Sequence, residues 1–134
     1  MTGRRSEELQ IRAEEDVVRV RQATRQWAVD LGFSLIDQTK IVTAASELAR
    51  NTMLHGGGGS ACLEIVENGI RRGLCLTFQD QGPGIADLDL ALKDGYTTGG
   101  GMGLGLGGSK RLMNEFSISS RPGEGTRVTV VKWK

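Results

Sequence analysis

The stretch Ser46-Glu-Leu-Ala-Arg-Asn-Thr-Met-Leu-His55 sets a carboxylate (Glu47), a carboxamide (Asn51) and the chain's only imidazole (His55) at four-residue intervals. On an α-helix that spacing puts all three on one face. The other side, Ile41, Ala44, Ala45 and Leu48, is apolar, so the helix buries one side and raises a polar ridge on the other. Gly56 to Gly59 follow as a helix stop and a flexible exit. A ridge of this kind faces either water or a ligand.

Upstream, Ser34 with Asp37 three residues on resembles a capping box and starts this helix, which runs to about Leu54. An earlier helix is predicted from Val17, Val20, Ala23 or Thr24, Trp27, Ala28 and Leu31, with Glu14 to Asp16 at its positive end and Gly32 as its stop. Arg19, Arg21, Arg25 and Asp30 fall mostly off that stripe and read as a solvated face. Leu9, Ile11 and Ala13 alternate with polar residues and predict a short first strand.

Downstream the period changes to two. Ala61, Leu63 and Ile65, then Leu74, Leu76 and Phe78, predict a hairpin joined by a loop opening with Asn68-Gly69. Asp80-Gln-Gly-Pro-Gly-Ile85 is a turn straight after the second strand, and Asp87 to Leu92 predicts a short helix. Gly95 to Gly101 reads as a loop. Leu104, Leu106, Leu112, Met113 and Phe116 predict a helix entered through glycines. Phe116 to Ser120 and Arg127 to Trp133 then close the chain as two strands around Pro122 to Gly125. This order predicts an α+β fold, a two-layer sandwich with helices on one face of a mixed, mostly antiparallel sheet. We expect a single domain over 1–134, with 1–8 loose.

Seventeen basic residues against 16 acidic ones leave a formal net charge of +1, which argues against a nucleic-acid partner. No apolar run approaches the roughly 18 residues of a membrane span, so no membrane partner is expected and a cytoplasmic location is. Cys62 and Cys75 have neither a secretory signal nor metal-knuckle spacing and read as reduced thiols. Glycine is the anomaly, with 20 residues, 12 of them in Gly56 to Gly59 and Gly95 to Gly108.

A glycine loop before a helix can bring several backbone N–H groups onto a phosphate. Gly103-Leu-Gly-Leu-Gly-Gly108 satisfies G-x-G-x-x-G, yet no buried strand precedes it, so the dinucleotide-fold reading fails. There is no G-K-[ST] triplet and no V-A-I-K or H-R-D, which excludes a P-loop and the ordinary protein-kinase fold. Asp80 only accepts hydrogen bonds and suits an exocyclic amine, though taken alone an Asx turn that merely ends the strand accounts for it better. Asn51 offers an oxygen to a hard cation and Glu47 a proton acceptor, and each alone also fits a solvated helix position.

Their conjunction carries more. The E-x-x-x-N-x-x-x-H ridge, D-x-G-x-G-I after a strand, the glycine-rich loop before a helix, and Gly125-Thr126 entering a strand together resemble the GHKL ATPase superfamily of DNA gyrase, histidine kinases and mismatch-repair ATPases. Leu31-Gly-Phe33, Asp37-Gln, Ser46 to Asn51, Asp80 to Ile85, Asp94-Gly-Tyr96, Lys110 to Phe116 and Lys132-Trp133 look like its RsbT-like serine/threonine switch kinases. The resemblance implies the Bergerat-type ATPase sandwich, ATP and Mg²⁺, and phosphorylation of a serine or threonine on a STAS-domain antagonist in a partner-switching or stressosome pathway.

By the same resemblance Glu47 is the catalytic base and Asn51 the metal ligand. Asp80, Gly82, Gly84 and Ile85 hold the adenine, Thr98, Gly99, Gly101, Gly103, Leu104, Gly105, Leu106 and Gly107 the phosphates, and Thr126 supports Asp80. His55 caps the helix or borders the phosphate site. Lys93 and Lys110 lie only at the edges of the loop, so transition-state charge rests on metal and backbone, and turnover should be slow. The free kinase would bind and activate a regulatory phosphatase. The alternative is an ATP-dependent anti-sigma factor. Monomer and homodimer both remain open.

Overall fold

Leu63, Leu76 and Val130 stand side by side on three neighbouring strands, and so do Ala61, Phe78 and Val128. This is the consequence of period-two alternation in each strand, and it gives the sheet one apolar face for helices to cover. The computed structural model describes residues 6–54, 57–84 and 105–134. In chain order they form β1 (Ser6–Ile11), α1 (Glu14–Leu31), α2 (Leu35–Leu54), β2 (Gly59–Asn68), β3 (Arg71–Asp80), α3 (Gly105–Leu112), β4 (Glu115–Arg121) and β5 (Gly125–Trp133). The strand order is β1-β2-β3-β5-β4. Every described pairing is antiparallel, so the sheet is not mixed.

Helices α1 and α2 pack on each other and on that apolar face. Val17, Val20, Trp27 and Ala28 from α1, and Ile41, Ala44, Ala45 and Leu48 from α2, are buried with the strand residues in one cluster. Leu106 and Met113 join it from α3 and the segment after it. Gly32, at φ 86°, ends α1. Its N–H and that of buried Phe33 donate to Val29 and Ala28, which satisfies the last carbonyls. At the start of α2, Ser34 Oγ accepts the Asp37 N–H at 3.2 Å.

Two boundaries differ from the sequence expectation. The first strand spans Ser6–Ile11 rather than Leu9 to Ala13, because it runs in register from Ser6↔Glu64 to Ile11↔Gly59 and the Asp16 carboxylate then takes the N–H groups of Arg12 and Ala13. Ser6 to Glu8, expected in the loose amino terminus, are therefore paired. The last helix stops at Leu112 and does not reach Phe116. The Lys132 ammonium donates to the Leu112 carbonyl at 3.0 Å, Asn114 N–H pairs with Val131, and Phe116 already lies opposite Val130 in β4. The hairpin turn is Gly69-Ile70, with Gly69 at φ 65° and Asn68 still paired with Arg71. The expected helix over Asp87 to Leu92 and the loop over Gly95 to Gly101 lie outside the described residues.

The other face of the sheet has no helical layer among the described residues. There Trp133 lies against Gly73, donates from Nε1 to Glu115 at 2.6 Å and carries the Arg71 guanidinium 5.5 Å from its ring centroid. Cys62 and Cys75 are both free thiols. Burial is the main cause pushing their pKa values up, with Glu64 adding to it, so neither is primed as a thiolate. Among the described residues no helix is long and apolar enough to cross a membrane.

Candidate functional site

Asp80 is the last residue of β3 and turns toward the helical layer, following Leu74, Leu76 and Phe78 on that side. It is only 8% exposed. Its Oδ1 accepts the Gly82 N–H at 2.8 Å, an Asx turn that fixes the carboxylate, and among the described residues no hydrogen bond reaches Oδ2. The two readings of Asp80 from sequence are therefore compatible: one oxygen makes the turn, and the other keeps its lone pairs.

Glycines flank this residue because side chains would not fit. Gly59 pairs with Asp80 across β2 and β3, and a Cβ there would run into the Gln79 carbonyl and the Thr52 methyl. Thr52 belongs to α2, next to Asn51, so the contact brings the end of the polar ridge down onto the strand end that carries Asp80. Gly84, at φ 78°, sits against the Arg121 carbonyl. Gly82 and Gly84 thus form a turn laid against β4, with the Gly123 N–H donating to Pro83 at 2.7 Å.

On the other side of Asp80, Thr126 is its direct partner in β5. The Thr126 hydroxyl lies 2.7 Å from that of Ser120, which pairs with Thr126 from β4 and also donates to the Gly125 carbonyl at 3.2 Å. A hollow of about 290 Å³ opens at this end of the sheet, its walls including Asp80, Gln81, Ser120, Glu124 and Thr126.

Glu47 and Asn51 are half-buried on α2, one turn apart. Glu47 is already engaged by a neighbour. The Asn51 carboxamide makes no hydrogen bond among the described residues, so its oxygen is available to a ligand. Gly105, Leu106 and Gly107 form the first turn of α3, which packs on α2, with Leu106 buried between them and the core. Ile85, Thr98, Gly99, Gly101, Gly103 and Leu104 lie outside the described residues, as does His55. Ser120 escaped the sequence reading, and Gly59 entered it only as part of the helix exit. Ser120 was visible there only as a polar residue on the inward phase of an alternating strand.

The profile of the histidine kinase-, DNA gyrase B- and HSP90-like ATPases matches residues 36–134. The chain is 47% identical over 125 residues to the serine/threonine-protein kinase RsbT of Bacillus subtilis (strain 168), across 93% of this chain and 94% of that protein. The chain belongs to the RsbT-type serine/threonine kinases of that ATPase family.

This kinase is also 32% identical over 102 residues to an anti-sigma F factor of Bacillus licheniformis, across 70% of the chain and 68% of the relative. In solved structures its fold matches the RsbU and RsbW domains of a Mycobacterium tuberculosis protein with TM-score 0.67 and 20% identity, over 96% of this chain and 33% of that longer one. A mycobacterial sensor histidine kinase, MprB, matches with TM-score 0.56 and 17% identity over 95% and 96% of the two chains. An RsbT-type kinase of this ATPase family uses ATP.

Proposed function

We propose that this kinase transfers the γ-phosphoryl group of ATP to a serine or threonine of a STAS-domain antagonist in a cytoplasmic partner-switching pathway, and that the free kinase activates a regulatory phosphatase. The observation that carries the reading is the state of Asp80: nearly buried, immobilised through Oδ1, and with Oδ2 carrying no hydrogen bond among the described residues. Such an oxygen is a fixed acceptor for the adenine amine, at a strand end that the ridge of α2 overlooks.

Asn51 fits a magnesium ion, since its amide oxygen is a hard donor with no partner among the described residues. Magnesium bound there would neutralise charge on the phosphates and complete its shell with waters and phosphate oxygens. Glu47 sits one helical turn away, about 6 Å along the axis, where its carboxylate can take the proton of the attacking hydroxyl. The N–H groups of Gly105 and Leu106, unpaired within α3, receive phosphate oxygens. Ile85 completes the adenine site, and Thr98, Gly99, Gly101, Gly103, Leu104 and Gly107 complete the phosphate loop.

The test is transfer of labelled phosphate from ATP with Mg²⁺ to a STAS-domain partner. Label on the partner's serine or threonine supports the proposal; ATP binding without transfer would sink it. The 32% identity to an anti-sigma F factor keeps a second reading, an ATP-dependent anti-sigma factor. Capture of a sigma factor in place of a STAS protein by the ATP-loaded chain would decide for that reading.

A further inference from the structure

Lys132 is 8% exposed, opposite Leu74 on the helix-facing side of the sheet and at the end of β5 away from Asp80. Its ammonium has two partners among the described residues. It donates to the Leu112 carbonyl, the last of α3, at 3.0 Å and stands 4.0 Å from Asp37 Oδ1 in the first turn of α2. A buried lysine with one hydrogen bond and one carboxylate beyond hydrogen-bonding distance regains little of its lost hydration. An apolar side chain of similar length would suit the fold about as well, since a helix-end carbonyl can be met by water. Stability therefore does not account for this residue.

Nor is it needed to hold the chain that leaves α3. The Asn114 N–H donates to Val131 at 2.9 Å and the Asn114 side chain accepts the Trp133 N–H at 2.7 Å, so that segment is already fastened to β5. What Lys132 adds is a junction of three elements: β5, from which it springs, the end of α3 and the start of α2. The same three elements carry the candidate site toward their other ends, β5 with Thr126, α2 with Glu47 and Asn51, and α3 with Gly105 to Gly107. Thr126 lies about 20 Å away along the strand, so the ammonium itself is remote from a nucleotide held there.

We infer that Lys132 is a positioning residue for the phosphate end of the nucleotide: by tying the last carbonyl of α3 to the start of α2, it sets the tilt of α3 and so the place of its first-turn N–H groups. This rests on the nucleotide reading above. Helix α3 is a rod of about 12 Å, and a tilt of about 5° at one end moves the other by about 1 Å, enough to misalign a hydrogen bond. The cation also stands at the negative end of the helix dipole, which leaves the positive end for the phosphates. Asp80 and Thr126 belong to the sheet and do not move with α3. Loss of the junction should therefore spare the base and weaken the phosphates.

The experiment is competition titration of the full chain with adenosine and with Mg²⁺-ATP against a fluorescent adenine nucleotide, for the native protein, Lys132→Met and Lys132→Arg, with a thermal melt of each. One or two lost phosphate hydrogen bonds correspond to a factor of about ten. Lys132→Met should melt close to the native chain and bind adenosine as it does, while its preference for ATP over adenosine falls about tenfold. Lys132→Arg keeps a donor and the charge and should retain most of that preference. An unchanged preference in Lys132→Met, equal weakening of both ligands, a preference lost equally in Lys132→Arg, or a Lys132→Met chain that fails to fold or melts far below the native one overturns the inference and leaves the nucleotide site standing. A native chain that binds ATP no tighter than adenosine removes the phosphate role of α3 and overturns both.

Discussion

Gly125 lies against Asp80 so closely that a Cβ on residue 125 would overlap the Asp80 carbonyl oxygen. Its φ of 84° is also in the left-handed region. Gly125→Ala therefore meets two penalties at once, backbone strain and overlap with a strand that cannot retreat, because Gly59 holds Asp80 from the other side. We expect a loss of about 2 kcal/mol or more in urea denaturation, and weaker ATP binding in the fraction that folds. An unchanged denaturation midpoint would show that the strand end has slack, contrary to this account.

Thr24 is fully buried in α1, and its Oγ1 has no hydrogen-bond partner among the described residues. A buried unsatisfied hydroxyl costs more than a methyl of the same shape. Thr24→Val keeps the β-branched volume and removes the polar atom, so it should stabilise the fold by about 1 kcal/mol, or a few degrees in Tm. A lower Tm would mean that the hydroxyl is satisfied in solution.

Asp16 accepts the N–H of Arg12, which is the main cause of its lowered pKa, and also that of Ala13, with Arg19 at 3.0 Å adding to the effect and partial burial opposing it. A carboxyl whose folded pKa lies below the ordinary 3.8 stabilises the fold above that value. The contribution disappears as pH falls through the folded pKa. Asp16→Asn should therefore be less stable than the native chain at neutral pH, and the gap between their melting curves should close in acid below the ordinary carboxylate range. A gap that persists unchanged there would assign the effect to geometry instead of charge.

What could be read from the sequence was local. The alternation of Leu74, Leu76 and Phe78, the stop at Gly32, the placing of Glu47 and Asn51 one turn apart on α2 and the Asp80 turn each depend on residues within a few positions, and each appears in the structure. The two displaced boundaries depend on distant partners. The end of α3 is set by Lys132, twenty residues downstream, and the span of β1 by its ladder with β2. The Ser120–Thr126 pair needs the register of β4 on β5, which spacing alone does not specify. Asp80 was legible as a strand-end carboxylate, but that only one of its oxygens is engaged required coordinates.

Asp80 and Glu47 should separate binding from transfer. Asp80→Asn keeps the shape and the Oδ1 contact to Gly82, yet it replaces a charged acceptor with an amide whose N–H₂ can turn toward the adenine amine. Loss of a charge-assisted hydrogen bond corresponds to about ten- to a hundredfold in ATP affinity, so Asp80→Asn should fail at binding. Glu47 is at the ridge and away from the base-holding strand end, so Glu47→Ala should bind ATP nearly as the native chain does and lose transfer by about a hundredfold or more. Nucleotide titration and single-turnover phosphate transfer, run on both variants, give the two readouts. If Glu47→Ala transfers phosphate at the native rate, the proton acceptor is another group. If instead it loses ATP binding as Asp80→Asn does, Glu47 serves the metal and nucleotide alongside Asn51, and the ridge is a binding face throughout.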